Sequence, residues 1–310
     1  MRNFLLNINR HSYQKKVASK KRGCLLWYFY ESLRRISQGV FNLYLKFYKL
    51  LDLYPRPLEG NPDIVVSLTS FPKRINVVWG AIDSIYHQKE RPSKICLYLS
   101  KEEFPKEREG LPKRLLNYER LGLEICFRQY NLMPHTKYYY ALQEHTGKCV
   151  ITIDDDVYYQ NDIIENLWDL HLTNPEAVCA NKTLIISKNR YGGFAKYNEW
   201  KSACIYNNVH SRIALGVAGV LYPPLKYYRR SGMFDMSKIK ELSLKADDLW
   251  LKIHEILNGI EVVSNNYCFN GLTLDKSGVV TLQATNVGLG YNDSQWIALC
   301  NYYKIDTSIF

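Results

Sequence analysis

This chain has no His-Glu-x-x-His, no Walker-type glycine loop, no Cys-x-x-Cys and no apolar run of the roughly 18–20 residues a membrane-spanning helix needs. Each absence removes a class. A zinc-protease helix and a P-loop nucleotide site are excluded, and the glycine pair Gly288-x-Gly290 lacks both a third glycine and a strand-turn-helix setting. The eight cysteines, at 24, 96, 126, 149, 179, 204, 268 and 300, do not space as a zinc ribbon. Several sit in apolar strand-like runs such as Ile95-Cys96-Leu97 and Ile125-Cys126-Phe127, where a free thiol behaves as a small hydrophobe, so a reducing compartment is expected. The apolar stretch Cys24–Tyr30 stops at Glu31, and no small-residue cleavage site follows the basic start. Neither a spanning helix nor a cleavable signal is expected. The sequons at Asn181 and Asn292 carry weight only in a secreted protein.

Acid is also scarce where base is plentiful. Residues 1–58 carry twelve Lys/Arg against Glu31 and Asp52, and the other residues carry 29 bases against 28 acids, so nearly all of the net +11 lies in the first fifth of the chain. A body that is close to neutral argues against nucleic acid as a partner. Residues 1–22 are polar and basic. From 23 to 54, Leu26, Phe29, Leu33, Ile36, Val40, Leu43, Phe47, Leu50 and Tyr54 recur at spacings of three and four, which predicts one apolar stripe along a long helix. Arg34, Arg35, Lys46 and Lys49 lie beside it or away from it. Three settings fit: an anionic membrane surface, a helix packed on the body, and a coiled-coil homodimer. Pro55, Pro57, Gly60 and Pro62 mark a boundary, which divides the chain into a basic segment at 1–58 and a domain at 59–310.

From Asp63 the pattern alternates. Strands are expected at Ile64–Thr69, Lys94–Leu99, Leu123–Phe127 and Cys149–Asp154, with helices at Val77–His87, Leu111–Leu121, Lys137–His145 and Ile163–Leu172. This period predicts an α/β fold, a mostly parallel twisted sheet with helices on both faces. Beyond Ala177 the pattern gives a strand at Ala177–Ile186, an apolar segment at Gly216–Tyr222 and a helix at Lys245–Leu257.

The chemistry concentrates where Cys149-Val150-Ile151-Thr152-Ile153 ends in Asp154-Asp155-Asp156. Ligands of α/β sheets collect beyond the carboxyl ends of strands, and three adjacent carboxylates there call for a hard divalent cation; a solvated acidic turn is the plainer alternative. An EF-hand is rejected because Tyr159 stands where that loop requires glycine. At the end of the first strand, Ser70-Phe71-Pro72-Lys73-Arg74 offers a hydroxyl, an aromatic ring and cations suited to a base, ribose and phosphate, or else forms an ordinary turn. Lys137 opens the helix before the acidic strand and could reach a diphosphate. Asp247-Asp248 opens a helix, where a cap explains the pair and a general base is the functional alternative.

Taken in order, the strand with Thr-x-x-x-x-Arg, the lysine helix, Ile-Asp-Asp-Asp-Val, Gly-Val-x-Gly-Val-Leu-Tyr-Pro and Ala-Asp-Asp-x-Trp resemble a GT-A-type nucleotide-sugar glycosyltransferase. The wording is closest to bacterial polysaccharide glycosyltransferases and to the exostosin-like transferase domain. The resemblance covers about residues 62–257, with an echo in Asn286–Trp296. It implies a Rossmann-like nucleotide half at about 62–176, an acceptor half at about 177–310, a Mn²⁺ or Mg²⁺ ion and a UDP-sugar donor. Carried over by position, it gives Asp154 and Asp156 to the metal, and Thr69, Phe71, Arg74, Lys137 and Asp155 to the donor. It gives Gly219 and Tyr222 to the acceptor side, and Asp248 or Asp247 the place of the catalytic base. One departure stands out: no histidine follows His254 to serve as a late metal ligand.

These features give the expectation of a metal-dependent hexosyltransferase acting on a glycan or lipid-linked glycan in surface polysaccharide synthesis, peripheral on the cytoplasmic face of a membrane. The competing classes are a non-catalytic sugar- or nucleotide-binding module and another Mg²⁺-dependent phosphate enzyme such as a nucleotidyltransferase. The lack of glycine in Ser70–Arg74 weighs against the latter.

Overall fold

The computed structural model describes residues 1–19, 24–202, 209–230, 232–265, 267–274 and 290–310. Cys204, Gly288 and the start of the Asn286–Trp296 echo lie outside the described residues. The first part of the chain runs α1 (Arg2–Ala18), α2 (Leu25–Leu50), β1 (Asn61–Thr69), α3 (Val78–Tyr86), β2 (Pro92–Ser100), α4 (Lys113–Asn117), β3 (Leu123–Arg128), α5 (Thr136–Glu144), β4 (Cys149–Thr152), β5 (Val157–Tyr158) and α6 (Ile163–Thr173). The second part runs β6 (Val178–Ala180), β7 (Thr183–Ile185), β8 (Arg212–Ala214), β9 (Val220–Tyr222), α7 (Met236–Lys238), α8 (Asp247–Asn258), β10 (Val262–Val263), β11 (Leu272–Thr273) and α9 (Tyr291–Tyr303).

Seven strands form one sheet in the order β10-β6-β9-β4-β1-β2-β3. All neighbouring pairs are parallel except those made by β9, which runs antiparallel between β4 and β6. The succession β3-β2-β1-β4 reverses direction at β1, so a crevice opens between the carboxyl ends of β1 and β4, the usual position for a ligand in a doubly wound sheet. Two-stranded antiparallel ribbons, β5 with β11 and β7 with β8, flank the sheet.

Side chains alternate across β1 as the period of two requires. Ile64, Val66 and Leu68 share one core with Val78, Ala81, Ile82 and Ile85 of α3, with Ile163, Ile164 and Leu167 of α6, and with Phe41 of α2. Val65 faces the other core, with Tyr138, Ala141 and Leu142 of α5 and Leu249, Trp250 and Ile253 of α8. Helices thus cover both faces, and the β-branched runs of β1 and β4 are buried on both sides.

Residues 1–22 read only as a polar, basic segment, yet Arg2–Ala18 is a helix. It pairs with α2 through polar groups that periodicity does not register. The Asn9 amide donates to Arg34 O at 2.9 Å and to Ser37 Oγ at 2.7 Å, and Lys16 meets Glu31 at 2.8 Å. The pair is fastened to the body by Arg10–Asp162 at 2.5 Å and by Phe41, whose ring lies 4.8 Å from that of Tyr158. Of the settings open for α2, packing on the body therefore occurs, through Phe41, Leu45 and Tyr48. The apolar stripe marked by the sequence is a different face, and apart from Leu33 and Tyr54 it is exposed. The expected helix 111–121 is shorter than its pattern: α4 starts after Pro112, gives way to a 3-10 turn, and is stopped by Gly122 at φ 103°. The expected strand 177–186 breaks into β6 and β7, because Asn181 turns its amide onto the carbonyls of Ala218 (2.9 Å) and Ile163 (3.3 Å).

Candidate functional site

The acidic run is placed by hydrogen bonding between neighbouring strands. Ser67 pairs with Thr152, Ile153 N donates to Ser67 O at 3.1 Å, and the chain then leaves the sheet at Asp154 beside the end of β1. The three carboxylates diverge. Asp155 turns into the protein, where it accepts from Ser70 Oγ at 2.6 Å and from the Arg74 guanidinium at 2.9 Å. Asp156 meets the other arm of Arg74 at 2.9 Å, and Phe71 underlies that guanidinium at 5.4 Å. Asp154 takes the ammonium of Lys137 at 2.8 Å, while its own N–H donates to Tyr159 OH, which in turn donates to Val217 O.

Lys137 reaches a second carboxylate, Asp247, at 3.1 Å. The carboxylate of the next residue, Asp248, accepts the Gly216 N–H with both oxygens, at 3.2 and 3.3 Å. Gly216 lies so close to the group that a Cβ on it would stand 3.1 Å from Asp248 Oδ1, 3.2 Å from Lys137 Nζ and 3.9 Å from Asp154 Oδ1. Four residues that the sequence marked separately (Lys137, Asp154, Asp247 and Asp248) thus converge on one backbone segment at the β1/β4 crevice. Gly216 heads the quoted Gly-Val-x-Gly run, but composition did not single it out.

Among the described residues, five carboxylates share this rim with Lys137 and Arg74. Burial, aided by the Asp154 charge, pushes Asp156 up to about 6. Burial raises Asp155 as well, against the pull of Arg74. Burial disfavours the Lys137 ammonium, but Asp154, Asp247 and Asp248 outweigh this and hold it well above its usual range. The adjacent pair is driven apart. Burial opposes ionisation of Asp247, but Lys137 and His135 overcome it and hold this carboxyl low, whereas burial and the neighbouring Asp247 raise Asp248 well above the carboxylate range. His135 is fully buried and held down to about 4 by desolvation; its ring nitrogens meet Ser243 O at 2.8 Å and Tyr138 OH at 3.0 Å.

Among the described residues, no three His, Cys, Asp or Glu side chains stand together as a ready metal cage. The two carboxylates that the sequence assigned to metal are each held by a basic side chain, through Asp154 Oδ1 and Asp156 Oδ2. The other oxygen of each makes no ion pair among the described residues. This donor set fits a cation that takes one or two protein carboxylates and completes its shell from a ligand's own phosphate oxygens, the usual habit of Mg²⁺.

Other expected contacts fall elsewhere. Thr69 spends its hydroxyl on Tyr98 O at 2.8 Å. Tyr222 is buried within β9, paired with Val150 of β4, and Gly219, at φ 86°, packs against Asn181, Ile163 and Leu167. Both are buried, Gly219 against α6 and Tyr222 within the sheet, where burial raises its hydroxyl and Asp248 and Asp247 stand near enough for their charges to raise it further. A shallow cavity of about 220 Å³, lined by residues 240–245, Tyr291 and Gln295, lies just before α8 instead. Two supports of the site were missed by sequence reasoning, Tyr159 and His135; Ser70 was marked as a hydroxyl after the first strand, but not as a partner of Asp155.

No family model matches this sequence, and no curated protein matches it. Among solved structures, the chain is similar to the mannosyltransferase PcManGT from Pyrobaculum calidifontis in complex with GDP-Man and Mn²⁺, at 14% identity and a TM-score of 0.47, over 98% of this chain and 82% of that one. It is also similar to S. aureus TarS 1–349, at 13% identity and a TM-score of 0.39, over 67% of this chain and 59% of that one. Neither similarity assigns a residue here.

Proposed function

We propose that this chain is a metal-dependent glycosyltransferase of GT-A type that moves a sugar, in our reading a hexose, from a UDP-sugar to a hydroxyl of a glycan or lipid-linked glycan in surface polysaccharide synthesis, at the cytoplasmic face of a membrane. One observation carries the reading. At the switch point of the sheet, Lys137, Asp154, Asp247 and Asp248 meet around Gly216, with more carboxylates than cations among the described residues.

In this reading Asp154 and Asp156 would hold Mn²⁺ or Mg²⁺ near the donor's diphosphate. The ion, when bound, supplies Lewis-acid stabilisation to the charge that grows on the leaving diphosphate. Lys137 and Arg74 add fixed positive charge to the same rim, pre-oriented by Asp247 and Asp155, so no reorganisation is needed as the glycosidic bond breaks. Phe71, beside Arg74, offers a ring to the base. In this reading Asp248 takes the proton of the acceptor hydroxyl; burial and Asp247 raise its carboxyl, so it acts in its ionised form, which Lys137 favours and a cation bound at Asp154 would favour further. Asp247, neutralised by Lys137, holds its place beside it.

The test is turnover of a panel of nucleotide sugars with Mn²⁺, with and without acceptor glycans, for wild type and for Asp156→Ala. Metal-dependent turnover that collapses in the variant supports the reading, and equal turnover in both removes it. One feature favours a second reading, a binding module without turnover: both metal-directed carboxylates already have basic partners in the chain. Metal-dependent binding of UDP with no turnover on any acceptor would decide for it.

A further inference from the structure

Helix α2 has two apolar faces, and the fold uses only one. Phe41, Leu45 and Tyr48 are buried against the sheet layer. On the other side Leu25, Leu26, Phe29, Ile36, Val40, Leu43, Phe47 and Leu50 form a continuous stripe whose exposure runs from 45% at Val40 to 88% at Leu25. A 26-residue helix is about 39 Å long, so this is an extended apolar face, far beyond the scattered exposed leucines of an ordinary surface. No described helix is apolar enough to cross a membrane, so the stripe is not one wall of a span.

The surrounding charge identifies the occupant. Arg35, Lys46 and Lys49 are exposed on the same helix. Its one acid, Glu31, is buried and enclosed by Lys16, Arg34 and Arg35 at 2.8–2.9 Å, and together they hold its carboxyl far below the usual range. The outward face is therefore apolar, flanked on one side by exposed cations, and α2 exposes no carboxylate. A second copy of this chain fits poorly, because two such faces would oppose lysine to lysine without the acid partners a helical seam needs. Nucleic acid would leave the stripe in water.

We propose that the outward face of α2 lies flat on an anionic lipid bilayer, with Leu43 and Phe47 at the acyl boundary and Arg35, Lys46 and Lys49 at the headgroups. This inference is independent of the chemistry at the sheet rim. The inward face stays on Tyr158, so docking leaves the packing of the body unchanged.

The experiment is flotation of the full chain with vesicles of phosphatidylcholine alone and of phosphatidylcholine with phosphatidylglycerol, without any nucleotide sugar. Wild type should float with the anionic vesicles, and the double variant Leu43→Glu/Phe47→Glu should lose at least about tenfold in affinity while keeping the wild-type melting temperature. Lys46→Gln/Lys49→Gln, which leaves the stripe intact, should lose the preference for phosphatidylglycerol by about tenfold. No flotation of wild type, or equal flotation of the glutamate variant, overturns the proposal. A dimer seen by light scattering that the glutamate variant splits, in a chain that ignores vesicles, overturns it in favour of self-association.

Discussion

The two carboxylate groups of the crevice are built differently. Asp154–Asp156 ends a strand: its charges spread over Arg74, Ser70 and Lys137, and the group still keeps a proton up to about pH 6 at Asp156. Asp247–Asp248 opens a helix, and its two members are driven in opposite directions, one toward charge by Lys137 and the other toward a proton by burial and its neighbour. The first group suits a cation and the second suits a proton. The difference comes from partners: the strand-end carboxylates meet Arg74 and Lys137, while at the helix start Asp247 has Lys137 and Asp248 has the Gly216 N–H. Lys137 is the only side chain among the described residues that ion-pairs with both groups.

Removing that link should have the largest effect. Lys137→Met leaves Asp154 and Asp247 without their shared cation, and should lower unfolding free energy by about 3–5 kcal/mol in urea titration and abolish turnover. Asp248→Asn tests the proton-handling side alone; it should reduce kcat by about a hundred- to ten-thousand-fold with little change in melting temperature. A loss of stability without a loss of rate would make Asp248 only an anchor for Gly216.

Acid should expose the support of the second group. His135 is held at about 4 when folded, against about 6.5 when unfolded. The unfolded chain therefore binds the proton first, and the stability tied to the neutral ring is complete above about pH 6.5 and is lost as pH falls toward 4. His254, also held at about 4, adds to the slope. Each can contribute on the order of 3 kcal/mol across that window. Thermal melts from pH 7 to 4 should show a shallower fall in His135→Gln than in wild type. The smallest effect belongs to the strand-end group: Ser70→Ala takes one hydrogen bond from Asp155 while Arg74 remains, and should cost about 1–2 kcal/mol by chemical denaturation.

The part at about 62–176 was legible because each strand there is a β-branched run bounded by turn residues, and each helix shows a face. β1, β2 and β3 and α3, α5 and α6 fall within a few residues of their patterns. Legibility failed where direction or polar packing decides the structure. Nothing in Val220-Leu221-Tyr222 says that β9 runs antiparallel or that Tyr222 is core. Nothing in Asn9 or Ser12 announces that α1 is pinned by buried amides and hydroxyls. The stripe on α2 was read correctly as apolar, but periodicity cannot show which of two faces a body will cover. At the crevice, residue types were visible but pairings were not, since Lys137 and Asp247 are brought together only by the crossing of α5 and α8 over one face of the sheet.

β9 also limits how the molecule can move. It hydrogen-bonds to β4 on one side and β6 on the other, and so stitches the expected donor and acceptor halves into one continuous backbone ladder. Two lobes joined by a linker can open and shut like a jaw, but a sheet sewn through its middle cannot. Any ligand of this crevice would therefore rest on a floor that the ladder holds still.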